Sequence, residues 1–124
     1  MNPLEYQKAA LITLREGGFN VSLYAKGAVH PNILHAAIGL GTESGEFLDN
    51  VKKSAFFGLP FDRINAIEEL GDLLWYVAIA CETLGTTIPE VMEKNICKLQ
   101  HRYPNRKSSR DYATNRDLEG KGMR

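Results

Sequence analysis

Two pairs of acidic residues recur at one spacing: Glu43 with Glu46, and Glu69 with Asp72. A separation of three places both members of a pair on one helix face, about one turn apart. Both pairs lie in otherwise apolar surroundings, with residues 35–40 ahead of the first and residues 73–77 after the second. Carboxylates so placed are costly unless positive charge compensates them, and a donor set made only of oxygen suits a hard divalent cation. Cys and His at ligand spacing are both missing, so magnesium or manganese is expected rather than zinc. A carboxylate di-iron centre would need Glu-x-x-His. The residues three before His30, His35 and His101 are Gly27, Asn32 and Lys98, which excludes it.

The plain alternative is that these acids are solvated, as most helical acids are, and one pair alone would be weak evidence. Two pairs on consecutive helices repel strongly enough that a cation, or proton uptake, is expected. Gly41, Gly45 and Gly71 interrupt the same helices, where each costs about 1 kcal/mol relative to Ala. Either they let two helices approach closely beside the acids or they leave space for a ligand. Gly41 fits simple packing equally well, whereas Gly45 and Gly71, each between the acids of its pair, fit a site better.

A cationic stripe complements the acids. Lys94, Lys98 and Arg102 repeat at i, i+4, i+8, with Asn95 beside them. The bland reading is a solvated face; the functional one is a rim that holds a polyphosphate and stabilises charge developing on it. His35, two turns before Glu43, is a candidate contact to a base or sugar, set against a hydrogen-bonded core histidine. Tyr76, one turn past Asp72, is a candidate stacking residue or core filler. Trp75 is assigned to the core or an interface.

The elements that must position these residues are helical. Asn2-Pro3 starts a first segment that runs to about Glu16, where Gly17-Gly18 stops it. Residues 19–29 lack periodicity and are expected to form a loop able to cover a site. A second helix runs from Pro31 to just before Gly58, and a third from about Asp62 to Leu84. A fourth begins after Thr86-Thr87 and ends near Tyr103, before Pro104. Alternating strand patterns and internal repeats are absent. The expectation is an all-α antiparallel four-helix bundle over residues 1–104, with a polar C-terminal extension over 105–124. The third helix is apolar around much of its circumference, which predicts burial against a second copy.

Bulk properties fit one ordinary globular domain, 44% hydrophobic and 24% charged over 124 residues. No apolar run is long enough to cross a bilayer and no N-terminal signal pattern is present, so no membrane is expected and a cytoplasmic location is. Cys81 and Cys97 have no metal-site spacing and are expected to be buried free thiols. Net charge is zero but uneven. Residues 94–124 hold nine Lys/Arg against three Asp/Glu, and residues 1–93 six against twelve. The basic end lacks the interleaved aromatics of an RNA-binding module, so a small phosphorylated ligand is expected and a specific nucleic acid is not.

Together these residues resemble the MazG-like family of the all-α NTP pyrophosphohydrolase superfamily, whose signature is EExxE, a variable gap, then ExxD. Here it reads Thr42-Glu43-Ser44-Gly45-Glu46, then Glu68-Glu69-Leu70-Gly71-Asp72. The run KNICKLQHRYP over residues 94–104 and Asn115-Arg116-Asp117 resemble the end of the fourth helix and the tail of these proteins. The likeness spans roughly residues 31–117. One departure stands out: Thr42 replaces the first Glu of the motif.

The resemblance implies hydrolysis of a nucleoside triphosphate, ribo or deoxyribo, between the α and β phosphates, giving a monophosphate and pyrophosphate. Glu43, Glu46, Glu69 and Asp72 would hold magnesium. Glu46, with Glu43, would be the catalytic carboxylate, Glu46 accepting the proton of the attacking water. Lys94, Asn95, Lys98 and Arg102 would steady the phosphates, and Tyr103 would shape the pocket wall. It also implies a homodimer or homotetramer. Two alternatives stay open: a non-catalytic helical oligomerisation or nucleotide-binding module, which Thr42 favours, and a phosphoribosyl-nucleotide pyrophosphatase, which the KLxxRYP ending disfavours.

Overall fold

Asn2 starts the first helix by a reciprocal cap. Its side-chain oxygen accepts from the Glu5 N–H at 2.9 Å, its own N–H donates to Glu5 Oε2 at 2.8 Å, and Pro3 presets the first turn. The computed structural model describes residues 1–14 and 29–105. These form α1 (Pro3–Ile12), α2 (Pro31–Phe57), α3 (Arg63–Thr83) and α4 (Ile88–Arg102), with no strand among the described residues. The all-α expectation of four helices therefore holds. The expected covering loop, apart from Val29, and the tail beyond Asn105 lie outside the described residues.

Helix ends follow local chemistry. α1 stops at Ile12 rather than near Glu16, because the Thr13 N–H and hydroxyl both turn back to the Ala10 carbonyl, at 3.0 and 2.7 Å. His30 caps α2, its Nδ1 accepting from the Asn32 N–H at 3.0 Å. Gly58 ends α2 in the left-handed region at φ 65°, which only glycine adopts at little cost. Asp62 caps α3 through the Asn65 N–H at 3.0 Å.

The chain divides into two compact units, Met1–Ile88 and Pro89–Arg124. In the first, α3 packs against both α2 and α1, and α2 and α3 run antiparallel. The core is built from small residues that let backbones approach. Ala10, Ala78, Cys81 and Ile88 form one cluster, with Tyr6, Trp75 and Val77 packed on it, while Ala36, Ala66 and Ile79 are also buried.

Two buried amides pin the turns of this unit. Asn50 donates to the Asp62 carbonyl at 2.8 Å and accepts from the Asp62 N–H at 3.2 Å, closing the α2–α3 connection. Gln7 donates to the Thr86 carbonyl at 3.3 Å and accepts from the Ile88 N–H at 2.8 Å, tying α1 to the residues beyond α3. The Gln7 bond pairs the N–H of buried Ile88, and the Asn50 bonds hold the Asp62 backbone beside the first turn of α3, where the Asp62 carbonyl also accepts from the Ala66 N–H.

Much apolar surface stays open. Ile64, Ile67, Leu70 and Leu74 of α3 are each about half exposed or more, on a recurrent stripe. Both cysteines are free thiols, Cys81 buried as expected, but Cys97 exposed on α4. No described helix is long and apolar enough to cross a membrane.

Candidate metal centre

The antiparallel register of α2 and α3 brings Glu43 opposite Glu69 and Asp72. One carboxylate oxygen from each lies within 4.8 Å of the others. Glu43 and Glu69 are partly withdrawn from solvent, whereas Asp72 is exposed. Burial pushes the Glu43 carboxyl above its ordinary range, and a hydrogen bond with Glu69 and the charges of Asp72, Glu69 and Glu46 push it the same way. Two carboxyls can share a hydrogen bond only when one is protonated. Protonation of Glu43 or a divalent cation among the three would each relieve that repulsion. Its all-oxygen donor set and close convergence fit a hard cation.

Asn65, one turn before Glu69, donates from Nδ2 to Glu69 Oε1 at 2.8 Å and fixes that carboxylate's orientation. The Tyr6 hydroxyl reaches the Gly71 carbonyl at 3.3 Å, and burial, with the charge of Asp72 adding to it, raises its phenol above the usual value. Neither residue stands out in the sequence. Asn65 could have been found, since it shares the Glu69 face at i−4; Tyr6 reaches the site only through the packing of α1 on α3.

Glu46 does not join that group of three. It lines a cavity of about 500 Å³ with Asp49, Asn50, Lys53, Asp62, Ile64, Asn65 and Glu68. Its charge is felt both by Glu43 and by Lys53. Lys53 itself pairs with Asp49 at 2.7 Å on an exposed surface. Thr42, in place of the motif's first Glu, turns its hydroxyl back to the Gly39 carbonyl at 3.1 Å.

The glycines divide differently from the expectation. Among the described residues, a side chain at Gly41, Gly45 or Gly71 would meet nothing within 4 Å, so none of them sets the spacing of α2 and α3. They do leave open space beside the acids. The close approach is at Gly39, where an added Cβ would overlap the ring of Tyr76.

One turn from the acids, three rings meet edge to face. His35 lies 5.5 Å from Tyr76 and 6.0 Å from Trp75, and Trp75 lies 5.0 Å from Tyr76. Trp75 is anchored by its indole N–H, which donates to Thr13 Oγ1 at 2.6 Å. All three rings are half-buried.

The basic residues stand on α4, in the second unit. Lys94 pairs with Glu90 at 3.0 Å, and Asn95 is exposed. Lys98 and Arg102 are half-buried, and Arg102 Nε has no hydrogen-bond partner among the described residues. The Tyr103 N–H closes the last turn on the Leu99 carbonyl at 2.8 Å.

A family model described as the MazG nucleotide pyrophosphohydrolase domain matches residues 34–107, which include all four motif acids and the whole of α4. No match was found among the curated proteins or the solved structures.

Proposed function

The chain belongs to the MazG nucleotide pyrophosphohydrolase family, and from that premise we propose that it hydrolyses a nucleoside triphosphate between the α and β phosphates, yielding a monophosphate and pyrophosphate with magnesium or manganese as cofactor. The observation that carries this reading is the convergence of Glu43, Glu69 and Asp72 from two helices within 4.8 Å.

These three carboxylates would hold the cation. When bound, it would neutralise phosphate oxygens and lower the pKa of a water in its shell. Glu46 is left for the proton: lying close enough to be felt by Glu43 but outside the group of three, it can accept hydrogen from the attacking water. Asn65 orients Glu69 for its ligand role. His35 and Tyr76 take the base or sugar. Lys94, Asn95, Lys98, Arg102 and Tyr103 are assigned to the phosphates on their charge and on the motif. The exposed stripe of α3 supports a homodimer or homotetramer.

Incubation with a panel of NTPs and dNTPs plus magnesium should release pyrophosphate, and Glu69→Gln should lower the rate by at least about 100-fold. An unchanged rate in that variant would show that the chemistry is elsewhere. Thr42 favours one second reading, a module that binds nucleotide without turnover, since its hydroxyl is spent on the helix backbone where the motif has a carboxylate. Magnesium-dependent binding of a non-hydrolysable nucleotide without any turnover of the hydrolysable one would favour it.

A further inference from the structure

We propose that Gly39 is a positioning residue for nucleoside recognition: by leaving room for the ring of Tyr76, it sets the depth of the aromatic wall on which the base or sugar rests. This deepens the pyrophosphohydrolase reading and depends on it.

Of the described glycines, Gly39 is set apart by its contact. It is buried, and an added Cβ would overlap Cε1, Cζ and Cδ1 of Tyr76. At Gly41, two positions further along the same helix, an added Cβ would meet no described residue within 4 Å. Moving the backbone at Gly39 would open the packing of α2 on α3, where Ala36, Ala66 and Ile79 are all buried. The half-buried Tyr76 ring would have to swing instead. It would then leave His35, which stands one turn before Gly39 on the same face of α2, and disturb the edge contact with Trp75.

The helix register carries the effect to the nucleoside. Gly39 precedes Glu43 by one turn, and Tyr76 follows Asp72 by one turn, so the aromatic layer lies about 5.4 Å along the helix pair from the carboxylates. That is the scale of one ribose beyond an α phosphate. A displaced ring would intrude on the nucleoside moiety while leaving the carboxylates where they are. Gly39 therefore acts on nucleoside affinity and selectivity, through Tyr76, and not on the cation.

The test uses the full chain, with binding read from Trp75, the sole tryptophan of the chain and a member of the ring cluster. Probes are α,β-non-hydrolysable nucleoside triphosphates of each base, inorganic tripolyphosphate, and Mn²⁺ alone. In Gly39→Ala, nucleotide affinity and 1/KM should fall at least tenfold and the ranking among bases should change. Affinity for Mn²⁺ and tripolyphosphate, and kcat, should stay within threefold. Gly41→Ala should alter none of these. Unchanged nucleotide affinity in folded Gly39→Ala overturns the proposal, as does an equal loss of Mn²⁺ affinity. If Gly39→Ala does not fold, the comparison becomes Tyr76→Leu against Gly39→Ala/Tyr76→Leu. Once the ring is gone, adding Gly39→Ala should cost no further nucleotide affinity, and a further loss overturns the proposal. A wild-type protein that binds nucleotide but releases no pyrophosphate removes the proposed activity, yet leaves this binding test intact.

Discussion

Asn65 holds Glu69 by its carboxylate: one turn apart on α3, the two share an amide-to-oxygen hydrogen bond of 2.8 Å. A ligand that must meet two others at a cation is useful only if its rotamer is fixed, and this bond fixes it. Asn65→Ala should therefore weaken Mn²⁺ binding roughly 10- to 100-fold, measured by calorimetry. Unchanged affinity would mean that Glu69 is oriented by packing alone.

Stability without a cation should respond to pH in an unusual direction. Burial first, then the hydrogen bond with Glu69 and the neighbouring charges, hold the Glu43 carboxyl above its ordinary value in the folded state. Between the unfolded and the folded value, the native chain binds more protons than the unfolded one, so stability falls as pH rises through that window. A divalent cation needs the carboxylates ionised, so the stabilisation it gives should grow over the same window. Thermal unfolding from about pH 4 to pH 8, with and without magnesium, checks both slopes. Glu43→Gln should flatten them; a full slope in that variant would place its origin elsewhere.

The two buried amides should be costly to remove. Gln7→Ala strands the buried Ile88 N–H and takes one donor from the Thr86 carbonyl, and Asn50→Ala removes the partner of the Asp62 N–H while the Asp62 carbonyl keeps its bond from the Ala66 N–H. Each substitution should destabilise by about 1–3 kcal/mol in urea titration. Losses under ~0.5 kcal/mol would show that water reaches these groups at little cost.

The open stripe of α3 makes a prediction about assembly. If a second copy covers it, Ile67→Asp should convert an oligomer into a monomer by light scattering at high micromolar concentration. A monomeric parent protein would show instead that Ile64, Ile67, Leu70 and Leu74 face solvent in the free chain.

What could be read from sequence follows the range of the interactions involved. Helix ends were legible at Asn2-Pro3, Pro31, Gly58 and Asp62 because caps are local chemistry; α1 overran only where Thr13 back-bonds its own helix. The acidic pairs were legible because helical period is local too. Their division was not: three residues turn a helix by about 300°, so partners at i and i+3 are offset sideways. Whether both reach one point depends on the facing helix. Glu69 and Asp72 converge on Glu43, while Glu46 lies outside that group and lines the adjoining cavity with Asn65 and Glu68. Gly39 and Gly41 look equivalent in sequence, and only the ring arriving from α3 separates them.

The clasp made by Gln7 has a consequence for the order in which the fold assembles. The Asn50–Asp62 bonds span a separation of 12 residues, whereas the Gln7–Ile88 bond spans 81. Closing the longer loop costs roughly 1.5–2 kcal/mol more in chain entropy, and during synthesis the Gln7 clasp must wait until Ile88 has been made. The α2–α3 hairpin, which carries the three converging acids, can thus form first. Within the unit Met1–Ile88, α1 rests on α3 before the Gln7 clasp closes over it.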